Sequence, residues 1–262
     1  MAARTAPETC PVCQGTGWKM LAAEAGAPAR VTRCDCHFAR RGAELLAAAQ
    51  IPPRYQHCTL ENFITEGARE LMLAHRTAVS YSQEYPGGVD RDRNGLLFYG
   101  NVGTGKTHLA VAIAATLLER GIGCRFVDHR ALLKQIQGTF DPSNAATERS
   151  VVQPLLEVEV LLLDDLGVGR ATEWALETLH YILNHRYLHN LATVVTTNLE
   201  EADAGARATA SRAMESTREP SGPVTLVEAL GPRLRSRLYD MCVFVALHGS
   251  DFRRASAAPL VR

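Results

Sequence analysis

The chain has 262 residues, of which 46% are hydrophobic and 21% charged, and its formal net charge is zero. That length suits one α/β domain plus a small module, with a core that needs no disulfide staples. The neutral balance excludes a polyanion binder acting by bulk charge, so any nucleic-acid contact must come from a local patch or an assembly.

No apolar run approaches a membrane span, and Met1–Thr9 lacks the apolar stretch of a signal peptide. The expectation is a cytoplasmic protein without membrane contact. Its seven cysteines then sit in a reducing compartment, where clustered cysteines hold metal more often than they form disulfides. Cys10-Pro11-Val12-Cys13 is followed, after twenty residues, by Cys34-Asp35-Cys36. Four thiolates in two close pairs suit tetrahedral zinc, and His37 is an alternative ligand for one of them. Gly15 and Gly17 permit a tight turn, and Trp18 and Val31 are expected to give this small module its few apolar contacts. Cys58, Cys124 and Cys242 lack such spacing and read as small buried residues.

A short helix is expected over Phe38–Gln50, ended by Ile51-Pro52-Pro53, because proline removes a donor and fixes φ. A lead-in segment with Arg54-Tyr55 and Leu60-Glu61-Asn62-Phe63 precedes a helix from Ala68 to about Tyr85, closed by Pro86-Gly87-Gly88. From Gly95 onward strands and helices alternate. Strands are expected at Leu96–Tyr99, Cys124–Val127, Val158–Leu163, Ala192–Thr197 and Cys242–Leu247. Helices are expected after residue 105 to near Gly121, then at Ala131–Gln137, Glu173–His189 and Val227–Tyr239. This alternation implies a parallel five-stranded sheet with helices on both faces. Glu201–Pro223, poor in apolar residues, reads as a flexible surface insertion.

Gly100-Asn101-Val102-Gly103-Thr104-Gly105-Lys106-Thr107 fits the phosphate-loop pattern G-x-x-x-x-G-K-[ST] between a strand and a helix. Glycines let backbone N–H groups wrap phosphate oxygens, and the helix N-terminus adds its dipole. Lys106 is expected on the β- and γ-phosphates and the Thr107 hydroxyl on Mg²⁺. Val160-Leu161-Leu162-Leu163-Asp164-Asp165 is a buried strand that delivers two carboxylates to its C-terminal edge. Asp164 is expected to hold Mg²⁺, mostly through water, and Asp165 to orient the attacking water. Asn198, in Thr196-Thr197-Asn198 after another apolar strand, offers an amide to that water or to the γ-phosphate. Together these residues predict a P-loop ATPase.

The order and spacing of these pieces resemble the DnaC/DnaI/IstB family of AAA+ ATPases, bacterial helicase loaders and transposition helpers. The resemblance covers most of residues 51–254 and rests on several short pieces. They are Ile51-Pro52-Pro53-Arg54-Tyr55, Glu61-Asn62-Phe63, Gly105-Lys106-Thr107-His108-Leu109-Ala110, Leu163-Asp164-Asp165-Leu166-Gly167, Arg186-Tyr187, Thr196-Thr197-Asn198-Leu199, Ser236-Arg237-Leu238 and Asp251-Phe252-Arg253. Many relatives carry Glu where Asp165 stands, and the 201–223 insertion departs from the usual compact connection.

The resemblance places His108 with the nucleotide-binding residues. It makes Arg237 an arginine finger reaching ATP on a neighbouring subunit, with Arg233 a weaker alternative, and Arg253 a residue acting in cis. It implies ATP, Mg²⁺ and Zn²⁺ as cofactors. The implied partners are a replicative DNA helicase, single-stranded DNA and further copies of the chain joined through the ATP site. Loaders of the DnaI kind carry an N-terminal zinc module that docks on the helicase, whereas Lys19, Arg30, Arg33, Arg40 and Arg41 would instead suit a weak nucleic-acid contact.

The domain division expected is a zinc module at 1–50, a linker and helix at 51–90, the ATPase domain at 91–254 and a tail at 255–262. The leading function is a helicase loader. The alternative is an IstB-like helper that binds duplex DNA and stimulates a transposase, against which the cysteine pairs count. A GTPase would need an N-K-x-D motif, which is absent, and a kinase would leave Asn198 and Arg253 unexplained. A non-catalytic ATP-gated adaptor stays open because of the short Asp165.

Overall fold

The computed structural model describes residues 10–16, 18–21, 30–65, 67–141, 143–167, 172–201 and 225–253. Nearly all of the expected insertion and the terminal tail lie outside these residues.

An antiparallel pair, β1 (Trp18–Leu21) and β2 (Arg30–Arg33), links the two cysteine pairs, with Trp18 opposite Arg33 and Met20 opposite Val31. Trp18 and Val31, expected to give this module its few apolar contacts, are 46% and 58% exposed. They share one face of a two-stranded ribbon, and so small a ribbon has no second layer to bury them. Helix α1 (Asp35–Ala49) follows at once, and Gln50 closes it in the left-handed conformation. Ala49 is fully buried, and Leu45 and Leu46 pack on the main core, so α1 starts at the cysteines and ends in the body of the protein.

A short 3₁₀ turn at Pro53–Tyr55 leads to α2 (Arg69–Glu84). The sheet then builds from β3 (Gly95–Tyr99), β4 (Cys124–Asp128), β5 (Val160–Asp164), β6 (Ala192–Thr196) and β7 (Cys242–Ala246). Its order is β4-β5-β6-β3-β7 and all its pairs are parallel. The helices are α3 (Lys106–Glu119), α4 (His129–Gly138), α5 (Glu148–Glu157), α6 (Glu173–Leu188) and α7 (Leu226–Met241). Side chains alternate along each strand. Leu96, Phe98, Phe126, Leu162 and Val194 therefore face α2 and α3, while Leu97, Leu163 and Val195 face α6 and α7. Leu161 joins α4, α5 and Ile182 of α6 in a third cluster.

Helix α5 was not among the expected elements. Pro154 interrupts its pattern and removes one donor, yet Thr147 and Ser150 form a reciprocal capping box, and Val151, Val152, Leu155 and Leu156 are buried. Helix α7 runs across a kink at Gly231, whose φ is 79°. Because β3 lies between β6 and β7 while the chain continues from it to the far edge strand β4, the connections diverge beyond the carboxyl end of β3. An open α/β sheet leaves a crevice for ligands at such a point.

Candidate nucleotide site

The loop after β3 is held open by its glycines. Gly103 and Gly105 have φ of 80° and 94°, a region other residues enter only with strain. A Cβ on Gly105 would sit 2.6 Å from the Phe63 ring, and one on Gly103 would strike the Asp251 carboxylate. The loop is therefore clasped between the lead-in segment and the C-terminal segment, whose Phe252 N–H donates to the Gly103 carbonyl at 3.2 Å. Lys106 opens α3 and is 6% exposed, and its ammonium donates to the Gly100 carbonyl at 2.8 Å and to that of Asn101. Burial pulls this ammonium down to about 8, opposed by the charge of Asp165. Thr104 is buried and ties its hydroxyl back to the Asn101 carbonyl at 3.0 Å. The loop thus sets a desolvated cation at the start of a helix, the chemistry of a phosphate cradle.

Opposite the loop, the parallel register brings carboxylates to one edge. The Thr107 hydroxyl donates to Asp164 Oδ1 at 2.8 Å, and the buried Thr196 hydroxyl donates to the same oxygen at 2.6 Å. Burial raises the Asp164 carboxyl, while these two donors pull it the other way. The Asp165 N–H donates back to Thr196 Oγ1 at 2.9 Å. Asp165 has a φ of 58°, and Asn198 Nδ2 donates to its Oδ1 at 2.8 Å. A non-glycine residue held in the left-handed region marks a functional constraint worth following.

Val102, Gly103, Gly105, Lys106, Thr107, His108, Asp164, Asp165, Asn198 and Arg253 all line one cleft of about 620 Å³. Gly100, Asn101 and Thr104 stand behind it as the frame of the loop. His108 points one ring nitrogen to the Thr59 carbonyl at 2.9 Å, and Phe63 meets its ring edge-on while stacking on His75. Arg253 is exposed at the rim. Arg237 lies elsewhere: with Arg233, Glu177 and His180 it lines a separate hollow between α6 and α7, its guanidinium over the Tyr187 ring at 5.2 Å.

Sequence reasoning missed Tyr55, His57 and Asp128 as walls of the cleft. Asp128 had a legible signal, since it ends an apolar strand in a carboxylate just as Asp164 does. Arg186, which entered the sequence reading only through the Arg186-Tyr187 piece and with no role given, is fully buried. Its guanidinium donates to Thr193 Oγ1 and to the carbonyls of Leu155, Val158, Glu159 and Ala192, an internal brace rather than a site.

The residues fit the groups this cleft implies. A hydroxyl and a carboxylate already share a contact where a divalent cation takes oxygen ligands, and the buried Lys106 ammonium stands in the same cleft wall where phosphate oxygens need a cation. The cysteines fit as well. The Sγ atoms of Cys10, Cys13, Cys34 and Cys36 lie within 4.8 Å of one another. Cys10 to Cys34 is 3.8 Å and Cys13 to Cys36 is 3.3 Å, near the roughly 3.8 Å edge of a tetrahedron with Zn–S bonds of about 2.3 Å. Backbone N–H groups of Cys13 and Val12 lower the Cys10 thiol, and the neighbouring Cys13 thiol raises that of Cys36. The side chain of His37 lies outside the described ones. Cys58, Cys124 and Cys242 are buried away from the cluster.

Sheet order, phosphate loop and paired carboxylates define a P-loop NTPase of the AAA+ class. Residues 36–207 match the family described as IstB-like ATP binding proteins, and the chain belongs to that family, with DnaC-like helicase loaders among its relatives. It is 29% identical over 174 residues to YqaM of Bacillus subtilis (strain 168), covering 64% of this chain and 54% of that protein. It is 28% identical over 156 residues to the replicative helicase loader DnaC of Buchnera aphidicola subsp. Baizongia pistaciae (strain Bp), covering 60% of this chain and 61% of that protein. The matches thus span little more than half the length of these relatives. A crystal structure of the DnaC helicase loader superposes with a TM-score of 0.58 at 26% identity, covering 75% of this chain and 99% of that one. Among the described residues, no helix is long and apolar enough to cross a membrane.

Proposed function

We propose that this chain is an ATP-hydrolysing helicase loader acting in the initiation of DNA replication, in the cytoplasm, with a zinc module at its N-terminus. The observation that carries the reading is the closed set of contacts Thr107–Asp164–Thr196–Asp165–Asn198 facing Lys106 across one cleft. Lys106 and the loop amides hold the phosphates. Thr107 and Asp164 hold Mg²⁺, which when bound neutralises charge on the phosphate oxygens. Asp165 and Asn198 orient the attacking water, and Arg253 contacts the nucleotide in cis. Arg237, turned away from its own cleft, serves the site of a neighbouring subunit, with Arg233 beside it.

In this reading residues 1–50 form the zinc module that meets the helicase. Residues 51–90 lead into the ATPase domain of 91–254, with an insertion at 201–223 and a tail at 255–262. Structural zinc supplies the folding energy that a ribbon with exposed Trp18 and Val31 lacks. The likeness to DnaC favours a helicase and single-stranded DNA as partners. The second reading, a transposition helper on duplex DNA, draws on the likeness to IstB-like ATP binding proteins.

The test is ATP turnover with single-stranded or duplex DNA added, together with capture of a replicative helicase in ATP. Stimulation by single strands and helicase capture support the loader. Stimulation by duplex alone supports the helper. Unchanged nucleotide affinity in Lys106→Ala would overturn both.

A further inference from the structure

We infer that Asp128 is a further catalytic residue of this cleft, a second carboxylate contact for the attacking water beside Asp165. The inference rests on the hydrolytic reading above and deepens it. Asp128 ends β4 as Asp164 ends β5, and the parallel register sets the two residues directly opposite each other. Its side chain is half-buried and forms part of the same cleft wall as Asp164, Asp165 and Lys106.

Asp165 alone is poorly placed for the whole task. It is one methylene shorter than glutamate, its backbone is turned into the left-handed region, and one of its oxygens is taken by Asn198. Asp128 offers the missing reach from the neighbouring strand. Its Oδ1 accepts the Ala131 N–H at 2.7 Å and caps α4, which fixes the side chain.

His129, which follows Asp128 directly, opens α4. The His129 ring, 4% exposed, makes no hydrogen bond through either nitrogen. Burial lowers its proton affinity, and the two carboxylates that oppose this are those of Asp128 and Asp165. Asp128 and Asp165 line the same cleft, so a water that enters it meets a carboxylate from each of two neighbouring strand ends. In hydrolysis its oxygen forms the new bond to the γ-phosphorus. The bond from that phosphorus to the bridging oxygen breaks, its electron pair leaves with the diphosphate, and the water's proton departs along the hydrogen bond toward the carboxylate and on to solvent.

The test is Asp128→Asn. Asparagine keeps the cap oxygen and removes the charge, so a merely structural role predicts an unchanged protein. We expect turnover to fall about a hundredfold, the usual scale for a lost acid–base group, with nucleotide affinity held within about twofold. Should Asp128→Asn fold poorly, Asp128→Ser keeps the cap and tests the same loss. Turnover near wild type in a folded variant overturns the inference and leaves the hydrolytic reading intact. An equal loss of nucleotide affinity also overturns it, since the carboxylate would then act in binding. Failure of the wild-type chain to bind nucleotide overturns the reading and the inference together.

Discussion

Two hydroxyls and two carboxylates set the chemistry of the cleft, and Thr196 sits at their centre. Its Oγ donates to Asp164 and accepts from the Asp165 N–H, so one buried atom fixes the Asp164 carboxylate and the Asp165 backbone. Thr196→Val keeps the shape, leaves the Asp165 N–H without this acceptor and takes one of two donors from Asp164, at a cost of about 1–3 kcal/mol, measurable as a shift of the urea midpoint. Asp165→Asn tests the water-orienting role more directly. Asparagine tolerates the left-handed backbone and still accepts from Asn198. Turnover should drop about 10²- to 10⁴-fold with nucleotide affinity unchanged, and a variant that hydrolyses ATP normally would remove Asp165 from the mechanism. Lys106, Thr107, Asp164 and Asp165 were legible because their spacing is local: a loop, a helix start and a strand end. Asp128 carries the same local sign, a carboxylate after an apolar strand, but its closeness to Asp164 is a product of strand order, which no window of sequence displays.

At the scale of elements, the sheet is braced by Arg186. It reaches from α6 beneath α5 and β5 to carbonyls at the amino ends of the strands, opposite the cleft. Burial lowers its guanidinium only to about 10, so it stays charged, balanced by oxygen acceptors rather than by an acid. Arg186→Lys offers three donors in place of a planar fork of five. We expect it to lose about 3 kcal/mol or more, since the hydrogen bonds removed are charge-assisted, without moving nucleotide affinity in the folded fraction. Denaturation and binding measured on one preparation check both halves. The strands and most helices were readable from apolar runs and their period. Helix α5 escaped because Pro154 breaks the pattern while the evidence for the helix, the Thr147–Ser150 cap, lies at its start.

For the whole molecule, stability should depend on pH in a definite direction. Burial lowers His108 and His129 below their usual 6.5. The unfolded chain then takes up protons that the folded chain refuses, so these two residues cost stability as pH falls below about 6.5. His248, held between Glu70 and Glu200, is raised and acts oppositely, its contribution fading as pH climbs through its folded value. His129→Gln cannot titrate and should therefore show a smaller drop in melting temperature between pH 7 and 5.5 than the parent. A further prediction concerns the cysteine cluster. Metal analysis should find one zinc per chain, and chelation should unfold the β1–β2 ribbon, read by loss of Trp18 signal, while ATP binding persists. Protein purified without zinc, or unaltered by chelation, would count against a metal centre.

Helix α1 gives this arrangement a mechanical side. It carries Cys36 in its first turn, and thirteen residues later, about 20 Å away, it ends with Leu45, Leu46 and Ala49 in the core and with Gln50 receiving a hydrogen bond from Arg125 of β4. The thiol cluster is therefore mounted on a stiff shaft rather than a tether. A load on the outer end of α1 is carried to β4, the strand whose opposite end holds Asp128.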